Sequence, residues 1–226
     1  AIGIGLLGNG WDGVVIIQGA SQNHIGGNTP GVGNFISGNN GSGVWLEGTR
    51  TTGNEVTNND IISNADYGIY LGDGVTNNTI GVSNTIAYNG SAGVVVDGMT
   101  TRGNTVTRNS IHSNGDLPIK FINTPIPISA PVLTTTLCSG TALLPVTGSA
   151  CPNCVIELYA NPDEPPGGAV FLAETTASAS GDFSTTVTCV LAYPYLSATA
   201  TGLDGTTSEF YPGSTVSSRT MIFLPL

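Results

Sequence analysis

Positive charge is what this chain most lacks. Five Lys plus Arg stand against fifteen Asp plus Glu, a net charge of −10 over 226 residues. Such a surface cannot neutralise a phosphate backbone, so nucleic acid and anionic membrane surfaces are poor partners, and acidic glycans are disfavoured for the same reason. Charged residues of both signs make up only 9% of the chain, too few to coat the outer faces of long solvated helices, and an all-β fold is expected. No apolar run approaches the roughly 18 residues of a transmembrane helix, so no membrane span is expected. The first residue is Ala, and the chain reads as processed or excerpted. Also missing are a GxSxG elbow, an HExxH helix and a phosphate-binding Gly-rich loop between strand and helix, which leaves serine-nucleophile, zinc-peptidase and nucleotide chemistry without support.

What is present is a repeat. Asn34, Asn59, Asn84 and Asn109 are 25 residues apart, as are Ile36, Ile61, Ile86 and Ile111, and again Asn39, Asn64, Asn89 and Asn114. Gly43, Gly68 and Gly93 open the short segments GVWL, GIYL and GVVV, and PIKF follows at the next repeat. An earlier coil, GNGWDGVVI, precedes its equivalent by 30, with the extra residues in the loop at 26–33. A fixed period of this length predicts a solenoid whose coils bury a core only by stacking. Three short strands per coil, with no Leu-x-x-Leu-x-Leu signature, predict a parallel β-helix. About five coils at ~4.8 Å each give a rod roughly 25 Å long. Alternation points Val14/Ile16, Val44/Leu46, Ile69/Leu71, Val94/Val96 and Ile119/Phe121 inward. The Asn columns read as amide ladders.

The segments NHIGGNTPGVGNFISGNNGSGVWLEGT and NNTIGVSNTIAYNGSAGVVVDG resemble the right-handed parallel β-helix repeats of the pectate-lyase-like superfamily, in particular its non-enzymatic bacterial surface members. The resemblance covers about residues 8–123. It implies a right-handed coil, and it implies no particular chemistry, since that superfamily holds polysaccharide lyases and hydrolases beside repeat proteins.

Beyond residue 124 the period vanishes. TPIPISAP reads as an extended linker, and VIELYA, AVFLAET, DFSTTVTCV and YLSATATG, separated by Gly- and Pro-rich turns, predict a small antiparallel sandwich. The stretch YLSATATGLDGTTSEF resembles the terminal strands of immunoglobulin-like modules. The expected division is 1–125 for the β-helix, 126–215 for the sandwich and 216–226 for a tail. All four cysteines lie in the second half, and their even number favours disulfides and an extracellular or cell-surface location. Among the connectivities open to them, Cys138–Cys189 between strands and Cys151–Cys154 within a turn are preferred. A zinc site is the alternative, and Cys138 and Cys189 lack the second Cys-x-x-Cys it would need.

Candidate sites are few. His24 and His112 occupy different coil positions and show no metal-ligand spacing. Glu47, Asp73 and Asp97 are expected to form an acidic file with Arg50 and Arg102 in the turns beyond, either solvated and paired locally or able to hold Ca2+ or act as a carboxylate pair on sugar. No cofactor is otherwise expected. The outward column Val15, Trp45, Tyr70 and Val95, followed by Lys120, is expected to be exposed and to serve as a protein interface or as a glycan-binding stripe. The apolar start AIGIGLL is expected to need a cover. Met221, Ile222, Phe223 and Leu224 in the tail are expected to add a strand to another subunit. Together these features predict a non-enzymatic extracellular structural protein, a cell-surface or filament subunit that assembles with other copies of itself through its chain ends. A glycan-binding adhesin and a carbohydrate-active lyase or hydrolase are the alternatives.

Overall fold

A computed structural model describes residues 8–27, 29, 31–124, 128–138, 143–163 and 167–210. The first coil carries β1 (Val14–Ile16), β2 (His24–Gly26) and β3 (Phe35–Ser37). The second carries β4 (Val44–Glu47), β5 (Glu55–Thr57) and β6 (Asp60–Ile62). The third carries β7 (Ile69–Gly72), β8 (Thr79–Ile80) and β9 (Thr85–Ala87), and the fourth β10 (Val94–Asp97), β11 (Thr105–Val106) and β12 (Ser110–His112). A fifth coil is begun by β13 (Ile119–Ile122), and among the described residues no further parallel strand belongs to it. Each strand pairs in parallel with its equivalent one coil away, giving sheets ordered β1-β4-β7-β10-β13, β11-β8-β5-β2 and β12-β9-β6-β3.

The register stacks like on like. Ile36 faces Ile61, Ile61 faces Ile86 and Ile86 faces Ile111. Val14, Val44, Ile69, Val94 and Ile119 form one inner row, and Ile25, Val56, Ile80 and Val106 another. A fully buried Ile or Leu stabilises by about 1.5–3 kcal/mol, so the rows hold the rod together although no strand exceeds four residues. The Gly column exists because the coils nearly touch: a Cβ on Gly68 would lie 2.4 Å from Ile86 Cγ2 and 2.6 Å from the Gly93 carbonyl oxygen.

Corners close with left-handed residues, again in columns. Gly38, Ser63, Tyr88 and Ser113 occupy one corner with φ of 70°, 56°, 58° and 53°. Tyr88 is the bulkiest of the four and is exposed. A left-handed L-residue costs roughly 1–2 kcal/mol, offset in part by the larger unfolded-state entropy of Gly, so Tyr88→Gly is expected to stabilise by about 0.5–1 kcal/mol. A lower urea midpoint for that variant would contradict this account.

The second part is a sandwich of two antiparallel sheets. β14 (Val132–Leu133), β15 (Leu143–Ser149) and β18 (Asp182–Thr188) make one, and β17 (Val170–Thr176), β16 (Val155–Asn161) and β19 (Tyr195–Thr201) the other. Leu133, Val146, Phe183 and Val187 from the first sheet meet Ile156, Leu158, Leu196 and Ala198 from the second in one core. The cysteines pair as expected, Cys138 with Cys189 and Cys151 with Cys154, at Cα separations of 5.4 and 5.5 Å.

The sandwich sits on the C-terminal end of the rod. Tyr159 and Phe210 join the rod's own apolar core, so the last coil is roofed by the β17-β16-β19 sheet and the chain that follows it.

Candidate interaction surfaces

On the outer face of the first sheet the expected exposed stripe is largely closed. Val15 is 49% exposed and Trp45 half-buried, whereas Tyr70 and Val95 are only 7% and 0% exposed. The closure has a local cause. Tyr67 and Ala92, from the turns entering β7 and β10, cover the file and form a small second core with Trp45, Tyr70, Val95 and Ile122. The Trp45 and Tyr70 rings stack with centroids 3.7 Å apart, an arrangement that adds about 0.5–1.5 kcal/mol beyond area burial.

The acidic file is also rearranged. Glu47 stands opposite Gly72 in the ladder, and Asp73 is one residue further on, in a turn with φ of 52°. Tyr70 lies over Gly72, where a Cβ would meet its ring at 2.3 Å. The two remaining acids are each held by an aromatic donor. Trp45 Nε1 donates to Glu47 at 2.6 Å, and the Tyr70 hydroxyl donates to Asp97 at 2.7 Å, with Asn123 Nδ2 on the other Asp97 oxygen at 2.9 Å. Burial, then the bond to Asp97, pushes the Tyr70 phenol far above its ordinary range, so it stays a proton donor. Each of these two carboxylates thus accepts a hydrogen bond from a ring of its own sheet. Among the described residues no group of three His, Cys, Asp or Glu is placed to hold a metal ion. Nor do Arg50 and Arg102 form ion pairs with the file: among the described residues the ion pairs are His24–Glu55, Arg108–Glu174 and Lys120–Asp116.

The histidines lie on different sheets. His24 Nδ1 is 3.1 Å from Glu55. His112 Nδ1 is 3.1 Å from Ser113 Oγ, and burial lowers its pKa below the usual imidazole value.

Polar contacts gather at the joint between rod and sandwich. In VIELYAN the alternation sends Ile156, Leu158 and Ala160 into the sandwich, and Glu157, Tyr159 and Asn161 onto the opposite face, where all three are buried, Glu157 and Tyr159 against the rod and Asn161 bonded to Ser197 and Ala169 of its own sheet and loop. Glu157 accepts from Thr107 Oγ, from the Arg108 backbone N–H at 3.0 Å and from the Tyr159 hydroxyl at 2.5 Å. Ile111 and Gly168 exchange backbone hydrogen bonds of 2.8 and 2.7 Å. Thr206 and Thr207 hydroxyls accept from the Gly103 and Val106 N–H groups at 2.9 Å each, and Glu209 from Phe121 at 3.0 Å. Hydrogen bonds that another coil would make are thus made by the sandwich. Beside this joint, between the β12–β13 turn and the sandwich, lies a cavity of about 570 Å³. Sequence alone offered one signal for the joint, the polar residues Glu157, Tyr159 and Asn161 alternating with apolar ones, and that pattern reads equally well as a solvated face.

The expected assembly residues Met221, Ile222, Phe223 and Leu224, and the apolar start at residues 1–7, lie outside the described residues.

Stacked parallel coils, inner isoleucine rows and asparagine ladders define a parallel β-helix protein. The model of the right-handed β-helix region matches residues 9–124, and the chain belongs to that family. A search of curated proteins found no match to the chain. The fold serves enzymes and non-enzymes alike, so function has to come from the surfaces.

Proposed function

We propose that the chain is a non-enzymatic, extracellular structural protein, a cell-surface or filament subunit that assembles with other copies through its chain ends, the first coil of the rod among the contacts. The observation that carries this reading is the first coil. Its strands β1, β2 and β3 are the edge strands of their sheets among the described residues. Trp11 and Phe35 on the same coil are 83% and 63% exposed. Parallel edges that pair with no further strand among the described residues, beside large exposed apolar side chains, invite a partner. Two disulfides that leave no free cysteine support an oxidising compartment. The aromatic anchoring of Glu47 and Asp97 supports a non-catalytic role.

Sedimentation over a range of concentrations tests the contact. The intact chain is expected to show reversible association, and Trp11→Ser with Phe35→Ser to return it to monomer. An intact chain that stays monomeric at every concentration rejects the proposal. Release of oligosaccharides from a polysaccharide panel, abolished by Glu47→Gln or Asp97→Asn, would establish an enzyme instead.

A further inference from the structure

The two ends of the molecule along the rod's axis differ in kind. From the rod the layers run through the β17-β16-β19 sheet, which roofs the last coil, to the β14-β15-β18 sheet, whose outer face points away from the rod. The opposite end is the first coil. In all three ladders an asparagine Oδ1 accepts from the coil before it, as Asn39, Asn54 and Asn59 accept from Asn9, Asn23 and Asn34. On the first coil the Oδ1 atoms of those last three, all exposed residues, accept nothing among the described residues. That end therefore presents acceptors, beside the exposed side chains of Trp11, Val32 and Phe35. On the outer sheet face alternation sets Leu143, Pro145, Thr147 and Ser149 of β15 beside Thr188, Thr186, Ser184 and Asp182 of β18, all exposed. It is a patch of hydroxyls, with Leu143 at one end and Val132 at the other. Charge is scarce on both surfaces. Of the fifteen Asp and Glu only Asp12 lies within residues 8–40 and only Asp182 within β14, β15 and β18, and neither region holds a Lys or Arg.

We propose that the outer face of the β14-β15-β18 sheet of one copy seats on the first coil of the next, so that copies join head to tail in an open chain. The pairing rests on the association proposed above and adds the surface that the second copy brings. Hydrogen bonding selects it. Two first coils face to face would set acceptor against acceptor, and the donor end of the rod is already roofed by its own sandwich, whereas the hydroxyls of Ser184, Thr186 and Thr188 can donate to Asn9, Asn23 and Asn34. Apolar area agrees, since Leu143 and Val132 supply partners for Trp11, Val32 and Phe35. So does charge. A chain of net charge −10 repels its copies, and this contact joins two surfaces that carry one acid each. The patches differ, so the contact is heterologous, and a heterologous contact that does not close propagates.

Sedimentation of two complementary variants of the full chain tests the pairing. Trp11→Ser with Phe35→Ser disables the first coil, and Ser184→Glu with Thr186→Glu disables the outer sheet face; all four residues are exposed. Each double variant alone is expected to stay monomeric at concentrations where the parent associates. An equal mixture of the two is expected to form a dimer containing one of each and nothing larger, because each partner keeps a single working face. Circular dichroism checks the fold of both, and Trp11→Ala or Thr188→Glu replaces a variant that does not fold. An outer-face variant that associates like the parent, or a mixture that stays monomeric while the parent associates, overturns the pairing and leaves the association itself standing. A parent that is monomeric at every concentration rejects both.

Discussion

Asn84→Asp is expected to lower the unfolding free energy by about 4 kcal/mol, because a buried donor becomes an acceptor among acceptors. Asn84 is fully buried. Its amide nitrogen donates to the carbonyls of Val56 and Gly81 and to Asn109 Oδ1, each at 2.8 Å, while its own Oδ1 accepts from Asn59 N and Nδ2 at 3.0 and 3.1 Å. Asp preserves the shape and the accepting oxygen, so nearly all of the loss is assigned to the donor side. The pH dependence supplies a second check. Burial among oxygens raises the new carboxyl's folded pKa above its unfolded value of about 3.9. The folded state then binds more protons than the unfolded one, and the variant's deficit should widen as pH rises above about 4. Urea denaturation near pH 4 and pH 7 measures both effects, with Asn40→Asp, an exposed position, as a control expected within about 0.5 kcal/mol of the parent. A deficit for Asn84→Asp no larger than the control's would mean that the ladders decorate the rod without stabilising it.

Where the period is strict, the sequence was legible, because stacking at one spacing forces equivalent residues into equivalent places. Ile36, Ile61, Ile86 and Ile111 therefore declared the inner row, and Gly43, Gly68 and Gly93 the crowded corner. A third ladder, Asn23, Asn54, Asn78 and Asn104, has no fixed period in the sequence, because its separations are 31, 24 and 26 residues, the corner loops being unequal. The acidic file failed by a single residue: 25 positions from Glu47 is Gly72, not Asp73, and one step along a strand reverses the face. Tyr70 and Val95 do point outward as alternation requires. Their burial depends on Tyr67 and Ala92, whose covering of the file no local pattern announces. The rod's polarity was hidden too. In every ladder the backbone N–H and an amide hydrogen are given toward the next coil, so the last coil ends in donors and its cover must supply oxygens. Glu157, Glu209, Thr206, Thr207 and the Gly168 carbonyl do so.

That requirement makes Glu157 central to the joint, and Glu157→Ala is expected to cost about 3 kcal/mol, since three donors lose this acceptor at once, although the Arg108 N–H keeps a second one in the Tyr159 hydroxyl at 3.2 Å. The Thr107 hydroxyl, the Arg108 N–H and the Tyr159 hydroxyl all converge on its carboxylate. Arg108 is tied to the same sheet a second time by its ion pair with Glu174 at 2.8 Å, but that pair is half exposed and adds at most about 1 kcal/mol. Loss at the joint should be local before it is global. Hydrogen exchange is expected to accelerate at Gly103, Val106, Arg108 and Ile111, whose N–H groups the sandwich covers, while Ile61 and Ile86, deep in the rod, keep their protection until global unfolding. Glu157→Gln should fall between parent and Ala, because one accepting oxygen remains and the new NH2 faces donors. Parent-like exchange at those four amides in Glu157→Ala would mean that apolar contact through Tyr159 and Phe210 holds the sandwich to the rod without the carboxylate.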